Sequence, residues 1–186
     1  MQSNSNKTYS GIIHTENGAE VCRIIVDVTE NGYFETLNLA PPAYPHFSLL
    51  EGDESGGVSV STATLPLADT SIAKTIINRF HGDVAGLPHV PFGNTAFLKA
   101  VYEKLYSINY GSTMTYQELA HACGNEKAAR AVGNAMKNNP LQILFPCHRV
   151  VGKAGLGGFA GKGDKYIEIK RKLLEIERSG KRIIIA

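Results

Sequence analysis

At 186 residues, 43% hydrophobic and 19% charged, the chain has the balance of a folded globular protein, enough for one large domain or two small ones. No apolar run approaches the roughly 18 residues of a membrane span. The polar stretch 1–7 is followed by no leader-like apolar segment, so the expectation is a protein without membrane contact, cytoplasmic, or nuclear in a cell with a nucleus. The net charge of +2 hides an asymmetry: residues 1–93 carry four Lys/Arg against ten Asp/Glu, net −6, and residues 94–186 carry fifteen against seven, net +8. A basic half suits a polyanion, nucleic acid first, although a solvated basic surface with a basic tail at Lys181 and Arg182 would give the same count.

The first half reads as strands and turns. Residues 20–28 alternate imperfectly around Val21, Ile24, Val26 and Val28, and Asn31-Gly32 reads as a turn into a second strand over 33–39. Pro41, Pro42 and Pro45 interrupt regular structure. A third strand is expected over 57–67, where Val58, Val60 and Thr62 recur at period two. Asp69 or Thr70 then caps a helix with Ile72, Ile76 and Phe80 on one stripe, stopped by Gly82. This half holds no cluster suited to chemistry and reads as scaffold. Residues 83–94, with Gly86, Pro88, Pro91 and Gly93, read as a linker, which predicts two domains, 1–92 and 93–186.

From Thr95 the pattern turns helical, with Phe97, Val101, Leu105 and Ile108 at three- and four-residue steps. Thr115 and Glu118 form a capping box at the head of a short helix that Gly124 stops. A second short helix is expected over 126–136, so the pair has the dimensions of a helix-turn-helix. Its surface is lean: Ala128, Ala129, Ala131, Gly133 and Ala135 leave Lys127, Arg130 and Lys137 prominent. Small residues let a helix press into a DNA groove, and they serve close packing against another helix equally well. A buried apolar run, 141–145, then leads to Pro146-Cys147-His148-Arg149-Val150-Val151, a Gly-rich loop over 152–163, and a final helix Asp164–Arg178.

Three cysteines, Cys22, Cys123 and Cys147, are an odd number at wide spacing, so neither a disulfide framework nor a zinc pair is expected. Cys147 stands next to His148. A free thiol is only a few per cent thiolate at pH 7, and an imidazole can take its proton. Adjacent side chains diverge on strands and helices alike, so either the backbone turns sharply there or a water relays the proton, and the water is the favoured route. A histidine base needs its other nitrogen held by an acceptor; Glu177, on the final helix, is the candidate. Gly155-Leu156-Gly157-Gly158-Phe159-Ala160 matches G-x-G-x-x-A, but one helix and no further βαβ unit follow it, so the loop reads as a pocket wall rather than a dinucleotide site.

Tyr116-Gln117-Glu118-Leu119-Ala120, Gly124-Asn125, Ala128-Ala129-Arg130-Ala131-Val132-Gly133, Asn138-Asn139-Pro140 and Pro146-Cys147-His148-Arg149-Val150-Val151, in this order, resemble the O6-alkylguanine-DNA alkyltransferase family over about residues 93–178. The resemblance implies an N-terminal RNase H-like α/β domain with a small antiparallel sheet and a C-terminal helical domain with a helix-turn-helix. It also implies direct reversal of DNA damage: one alkyl group moves from O6 of a flipped-out guanine, with O4-alkylthymine a further candidate, to Cys147. His148 would be the base through a water, Glu177 would orient it and Asn139 would hold the bend. Tyr116 would crowd a phosphate and donate to the guanine ring, Val150 and Cys147 carbonyls would accept from its amine, Phe159 would stack, and the Ala160 amide would donate to O6. Arg130 would fill the vacated base stack, with Ala128, Ala129 and Gly133 against the groove.

The resemblance further implies no cofactor, a monomer, and double-stranded DNA carrying O6-alkylguanine as the partner. Some relatives bind zinc in the N-terminal domain, but His14, Cys22, His81 and His89 lack metal-like spacing, and no metal is expected. Departures from the family pattern are Phe159 in place of a tyrosine, Gly161-Lys162 in place of a double glycine, Phe97-Leu98 at the helix start, and Ile176 before Glu177. Three rival functions follow from the same residues: a non-enzymatic sensor of alkylated DNA, which would lack the acceptor cysteine; a cysteine hydrolase, for which the helix pair has no purpose; and a helix-turn-helix regulator, which leaves Cys147, His148 and Glu177 unexplained.

Overall fold

A computed structural model describes residues 7–29, 34–41, 64–66, 71–82 and 95–186. Strands β1 (Lys7–Thr15), β2 (Glu20–Val28) and β3 (Phe34–Ala40) form an antiparallel meander. The other two strands of this sheet join the free edge of β1: β4 (Thr64–Pro66) runs parallel to its start, and β7 (Ile183–Ile185) runs antiparallel to its end. The fold is therefore mixed α/β around a small, mainly antiparallel sheet. In β2 all but Glu20 and Arg23 are buried, because it is the interior strand of the meander and helix α5 (Asp164–Arg178) packs against it. Burial on both faces explains its imperfect alternation in the sequence.

Strands β1 and β7 were not expected. Gly11 and the hydroxyl residues around it dilute the apolar alternation of β1, and the three isoleucines of β7 follow a charged stretch that reads as a tail. In β7 the side chains alternate as the pleat requires, with Ile183 and Ile185 buried and Ile184 exposed. The turn at Asn31-Gly32, the caps at Asp69 and Thr70, strand residues 57–63 and the linker 83–94 lie outside the described residues.

Helix α1 (Ser71–Phe80) buries Ala73, Ile76 and Phe80, and Gly82, at φ 96°, supplies the left-handed conformation that follows it. Helix α2 (Ala96–Tyr106) is capped by Thr95, whose hydroxyl accepts from the Leu98 amide. β5 (Met114–Thr115) leads into α3 (Tyr116–Ala122), where Thr115 and Glu118 complete the capping box and Gly124 takes φ 76°. Helix α4 (Ala129–Lys137) begins three residues later than the sequence pattern predicts. No side chain at Ala128 caps it, and the backbone between the helices is held instead by turn bonds such as Ala128 N–H to Asn125 O. A single 3₁₀ turn, Cys147–Arg149, then opens into β6 (Val150–Val151), which pairs parallel to β5. Buried side chains from both halves of the chain form one continuous core, and β7 returns the C-terminus to the first-half sheet.

Candidate active site

The site is assembled behind α4. Asn139, just past the helix end and 4% exposed, donates from Nδ2 to Phe145 O at 2.8 Å and accepts at Oδ1 from Leu141 N–H at 3.1 Å. One side chain thus ties both ends of the apolar run 141–145 and fixes where Pro146 and Cys147 emerge. The 3₁₀ turn beyond it answers the geometric question raised by adjacent cysteine and histidine. The backbone does turn sharply, yet no hydrogen bond joins the two side chains directly. His148 Nε2 pairs with Glu177 Oε1 at 2.7 Å, and His148 Nδ1, buried, has no protein partner among the described residues.

Glu177 also receives Arg149 Nε at 3.0 and 3.1 Å and Gly111 N–H at 2.9 Å. The Arg149 guanidinium donates further to Ile108 O and Phe80 O, both at 2.8 Å. The 3₁₀ turn and the loop at Gly111 therefore converge on one carboxylate of α5, and its partners His148 and Arg149 are buried. Phe80 stacks on the His148 ring at 5.9 Å, so the imidazole is fixed in both orientation and plane.

In front of Cys147 lies a cavity of about 270 Å³ lined by Tyr116, Met136, Lys137 and the loop residues Phe159 and Ala160. A Cβ at Gly133, which also lines it, would meet no atom within 4 Å, so open space remains there. A Cβ at Gly157, φ 69°, would come within 2.8 Å of the Tyr116 ring, so only glycine lets the loop close on that tyrosine. The Tyr116 hydroxyl donates to Gly158 O at 3.3 Å. Ala160 holds φ 51° without being glycine, which aims this stretch of the loop.

The structure thus brings Cys147, Tyr116, Gly133, Phe159 and Ala160 to one cavity, with His148, Glu177 and Asn139 behind it. Val150 is buried, and its carbonyl accepts from Lys170 Nζ at 2.6 Å, leaving one lone pair for any other donor. Ala128, Ala129 and exposed Arg130 lie outside the cavity lining, at the start of α4.

Residues 96–179 match the family described as 6-O-methylguanine DNA methyltransferase, DNA binding domain. The methylated-DNA–protein-cysteine methyltransferase of Sulfolobus acidocaldarius is 35% identical over 117 residues, 60% of this chain and 71% of that protein. The chain belongs to the methylated-DNA–protein-cysteine methyltransferase family. The Haemophilus influenzae member is 43% identical over 102 residues, 53% of this chain and 55% of its own length. This and the Metallosphaera sedula match, at 65% of that protein, leave more than a third of each relative unaligned. Solved structures align over more of the chain. The O6-methylguanine-DNA methyltransferase of Pyrococcus kodakaraensis has a TM-score of 0.62 at 29% identity, covering 91% of this chain and 98% of its own. Mycobacterium tuberculosis OGT in complex with DNA has a TM-score of 0.57 at 26% identity, covering 92% and 93%.

Burial pushes the Cys147 thiol above its ordinary range, opposed by the Asn139 side chain and by the charge of Lys170. The resting group is therefore the thiol, and a base would be needed to ionise it. Burial lowers the His148 imidazole despite the pull of Glu177, so it rests neutral and free to accept a proton. For Glu177 burial alone would raise the carboxyl, but the hydrogen bond from His148 and the charge and hydrogen bonds of Arg149 outweigh it and hold the group ionised.

Lys170 is the site residue that sequence reasoning missed. It is fully buried, donates to Val150 O and Gly158 O, and burial lowers its ammonium to about 8. The signal was available: on α5 the lysine interrupts the buried stripe of Tyr166, Ile169, Leu173 and Leu174 at helical spacing.

Proposed function

We propose that this chain repairs DNA by taking one alkyl group from O6 of guanine onto Cys147 Sγ, irreversibly, and is consumed in doing so. The observation that carries the reading is a cysteine at the wall of a base-sized cavity with a neutral, oriented histidine behind it. The thiol proton passes through a water to His148 Nδ1, the buried ring nitrogen that has no protein partner among the described residues. The thiolate attacks the alkyl carbon, the S–C bond forms as the C–O6 bond breaks, and guanine leaves with the electron pair. Tyr116 donates a hydrogen bond to the departing purine, which then takes a proton from water. Ionised Glu177 offsets part of the cost of forming a buried imidazolium at His148, and buried Lys170 stabilises the transient thiolate electrostatically. No group at the site can cleave a thioether, so each molecule acts once.

The remaining roles follow the same reading. Asn139 holds the bend, Phe159 stacks on the base, the Ala160 amide donates to O6, and carbonyls of Cys147 and Val150 accept from the exocyclic amine. The target base lies inside the duplex and has to be turned out to reach the cavity. Arg130 occupies the gap while Ala128, Ala129 and Gly133 let α4 enter the groove, α3 and α4 acting as a helix-turn-helix. Residues 93–186 form the DNA-binding unit and 1–92 an RNase H-like unit, and one monomer acts on double-stranded DNA carrying O6-alkylguanine. No helix among the described residues is long and apolar enough to cross a membrane.

The test is intact-protein mass spectrometry after mixing with duplex DNA that holds a single O6-methylguanine. The expected result is one added methyl group, located on Cys147, with no further turnover, and none on Cys147→Ala. Binding of the damaged duplex by both proteins without modification would replace this reading with that of a sensor.

A further inference from the structure

Ile143 has φ 70°. A buried β-branched residue in the left-handed region is a strained conformation, which persists only when its surroundings dictate it. The residues flanking Ile143 show what dictates it. Asn139 ties Leu141 and Phe145 from within the loop. The ties on Gln142 and Leu144 come from the first half of the chain. The edge of β3 not occupied by β2 pairs with the loop: Leu37 N–H donates to Pro140 O at 2.7 Å, and Gln142 N–H donates to Leu37 O at 3.0 Å. Leu39 N–H then donates to the Gln142 side-chain oxygen at 3.3 Å. On the other side of Ile143, Arg79 of α1 donates from Nε to Leu144 O at 3.0 Å and from Nη2 to Tyr106 O at 2.5 Å, with its guanidinium 3.8 Å above the Tyr106 ring.

Both side chains are almost fully buried, Arg79 at 5% and Gln142 at 6% exposure, and neither lines the cavity at Cys147. Beyond Leu144 only Phe145 and Pro146 separate the held turn from the nucleophile, and Cys147 N–H donates back to Phe145 O at 2.7 Å. A shift at Leu144 therefore has no slack in which to dissipate.

We propose that Arg79 and Gln142 are positioning residues for Cys147: Arg79 from α1, and Gln142 through its bonds to the β3 backbone, lock the left-handed turn at Ile143 that presents the thiol. The first half is then part of the reacting apparatus rather than a support beside it. The inference rests on Cys147 being the nucleophile, as proposed above.

The test uses the full chain with Arg79→Met, Gln142→Met and the double variant. Single-turnover transfer from an O6-methylguanine duplex, duplex affinity, and the pH profile of iodoacetamide labelling at Cys147, located by peptide mass spectrometry, are measured on each. Because misplacement of a reacting atom by about 1 Å costs on the order of a hundredfold, Arg79→Met is expected to slow transfer at least about tenfold and Gln142→Met about fivefold. Duplex affinity should stay within about twofold. The double variant should lose less than the product of the singles, since both hold one turn. The labelling profile should shift at Cys147 and not at Cys123.

Unchanged transfer in the folded single variants, or affinity and rate falling together, overturns the proposal. Gln142→Met, close in shape and lacking the side-chain amide, decides the matter if Arg79→Met does not fold. Iodoacetamide separates this proposal from the substrate assignment: a shifted profile in a protein that never accepts methyl from DNA sinks the substrate and leaves the positioning role standing.

Discussion

In the first-half sheet the only buried acidic side chain among the described residues is Asp27, and it is settled by neighbours on both sides. It sits opposite Thr8 on β1 and Thr36 on β3, and accepts from their hydroxyls at 2.7 and 2.6 Å. Around Cys147, by contrast, Glu177, Arg149, His148 and Lys170 are buried together, drawn from a 3₁₀ turn and α5. A buried carboxylate between two hydroxyls serves one local geometry. A buried set of four titratable or charged groups is costly to assemble and is kept where its field acts on something, here a thiol. If this contrast is right, breaking the second cluster should cost far more than breaking the first, and only the second should reach the chemistry.

The largest effect is expected for Glu177→Gln. Arg149 would stay buried without its carboxylate, a loss on the order of 3–5 kcal/mol, measurable by urea unfolding. Transfer per folded molecule should fall about a hundredfold as His148 loses its orienting partner. The pH dependence has a definite sign. The Glu177 carboxyl is held below its ordinary 4.5 in the folded protein, so its stabilisation is present above that pH and is lost as the pH falls below it. Glu177→Gln should lack this acid-side loss. A cost below about 1 kcal/mol would show that the cluster carries no more than an ordinary surface ion pair.

Lys170→Met comes next. In the folded protein the ammonium releases its proton at about 8, whereas the unfolded chain keeps it until 10.5. Between those values the unfolded state binds more protons, so wild-type stability should rise with pH relative to the variant, by about 3 kcal/mol across the window. Thermal melts of both proteins from pH 7 to 10.5 give the difference directly. A flat difference would mean that the lysine is better solvated than its surroundings imply.

How far these features were legible follows the range of the forces behind them. The capping box at Thr115, the stop at Gly124 and the span of α5 are local, and nearby residues sufficed to place them. The order of Asn139, Cys147, His148 and Arg130 was readable because it resembles a family pattern. The partnership of His148 with Glu177 was inferable only as the best available pairing, since 29 positions separate them. The clamp on Ile143 was not legible, because it pairs β3 backbone with a loop some hundred positions on and nothing in the side-chain pattern encodes that register. β1 and β7 were missed for a related reason: their burial comes from each other and from β2.

Asp27→Asn tests the first-half side of the comparison. The asparagine amide can accept from one threonine hydroxyl but turns a donor toward the other, which should lower stability by about 1–2 kcal/mol. Transfer measured on the folded fraction at saturating duplex should remain that of the wild type, because Asp27 lies outside the Cys147 cavity lining and outside the Ile143 clamp. A fall in transfer comparable to that of Glu177→Gln would erase the distinction between the two clusters.

The smallest change in stability is expected for Thr115→Ala. Thr115 Oγ1 accepts from Glu118 N–H at 3.1 Å, and Glu118 Oε2 accepts from Thr115 N–H at 2.7 Å. Losing the hydroxyl should cost about 1 kcal/mol, no more than Asp27→Asn. The capped helix, however, begins with Tyr116, whose ring lines the cavity and lies against Gly157. Fraying of that first turn moves the tyrosine, so transfer should fall several-fold while the bulk of the fold holds, with single-turnover rates and melting midpoints compared on the same samples. Two substitutions of similar thermodynamic cost would then differ in their effect on the thiol's reaction, because position relative to the cavity, and not stability, decides which damage reaches Cys147.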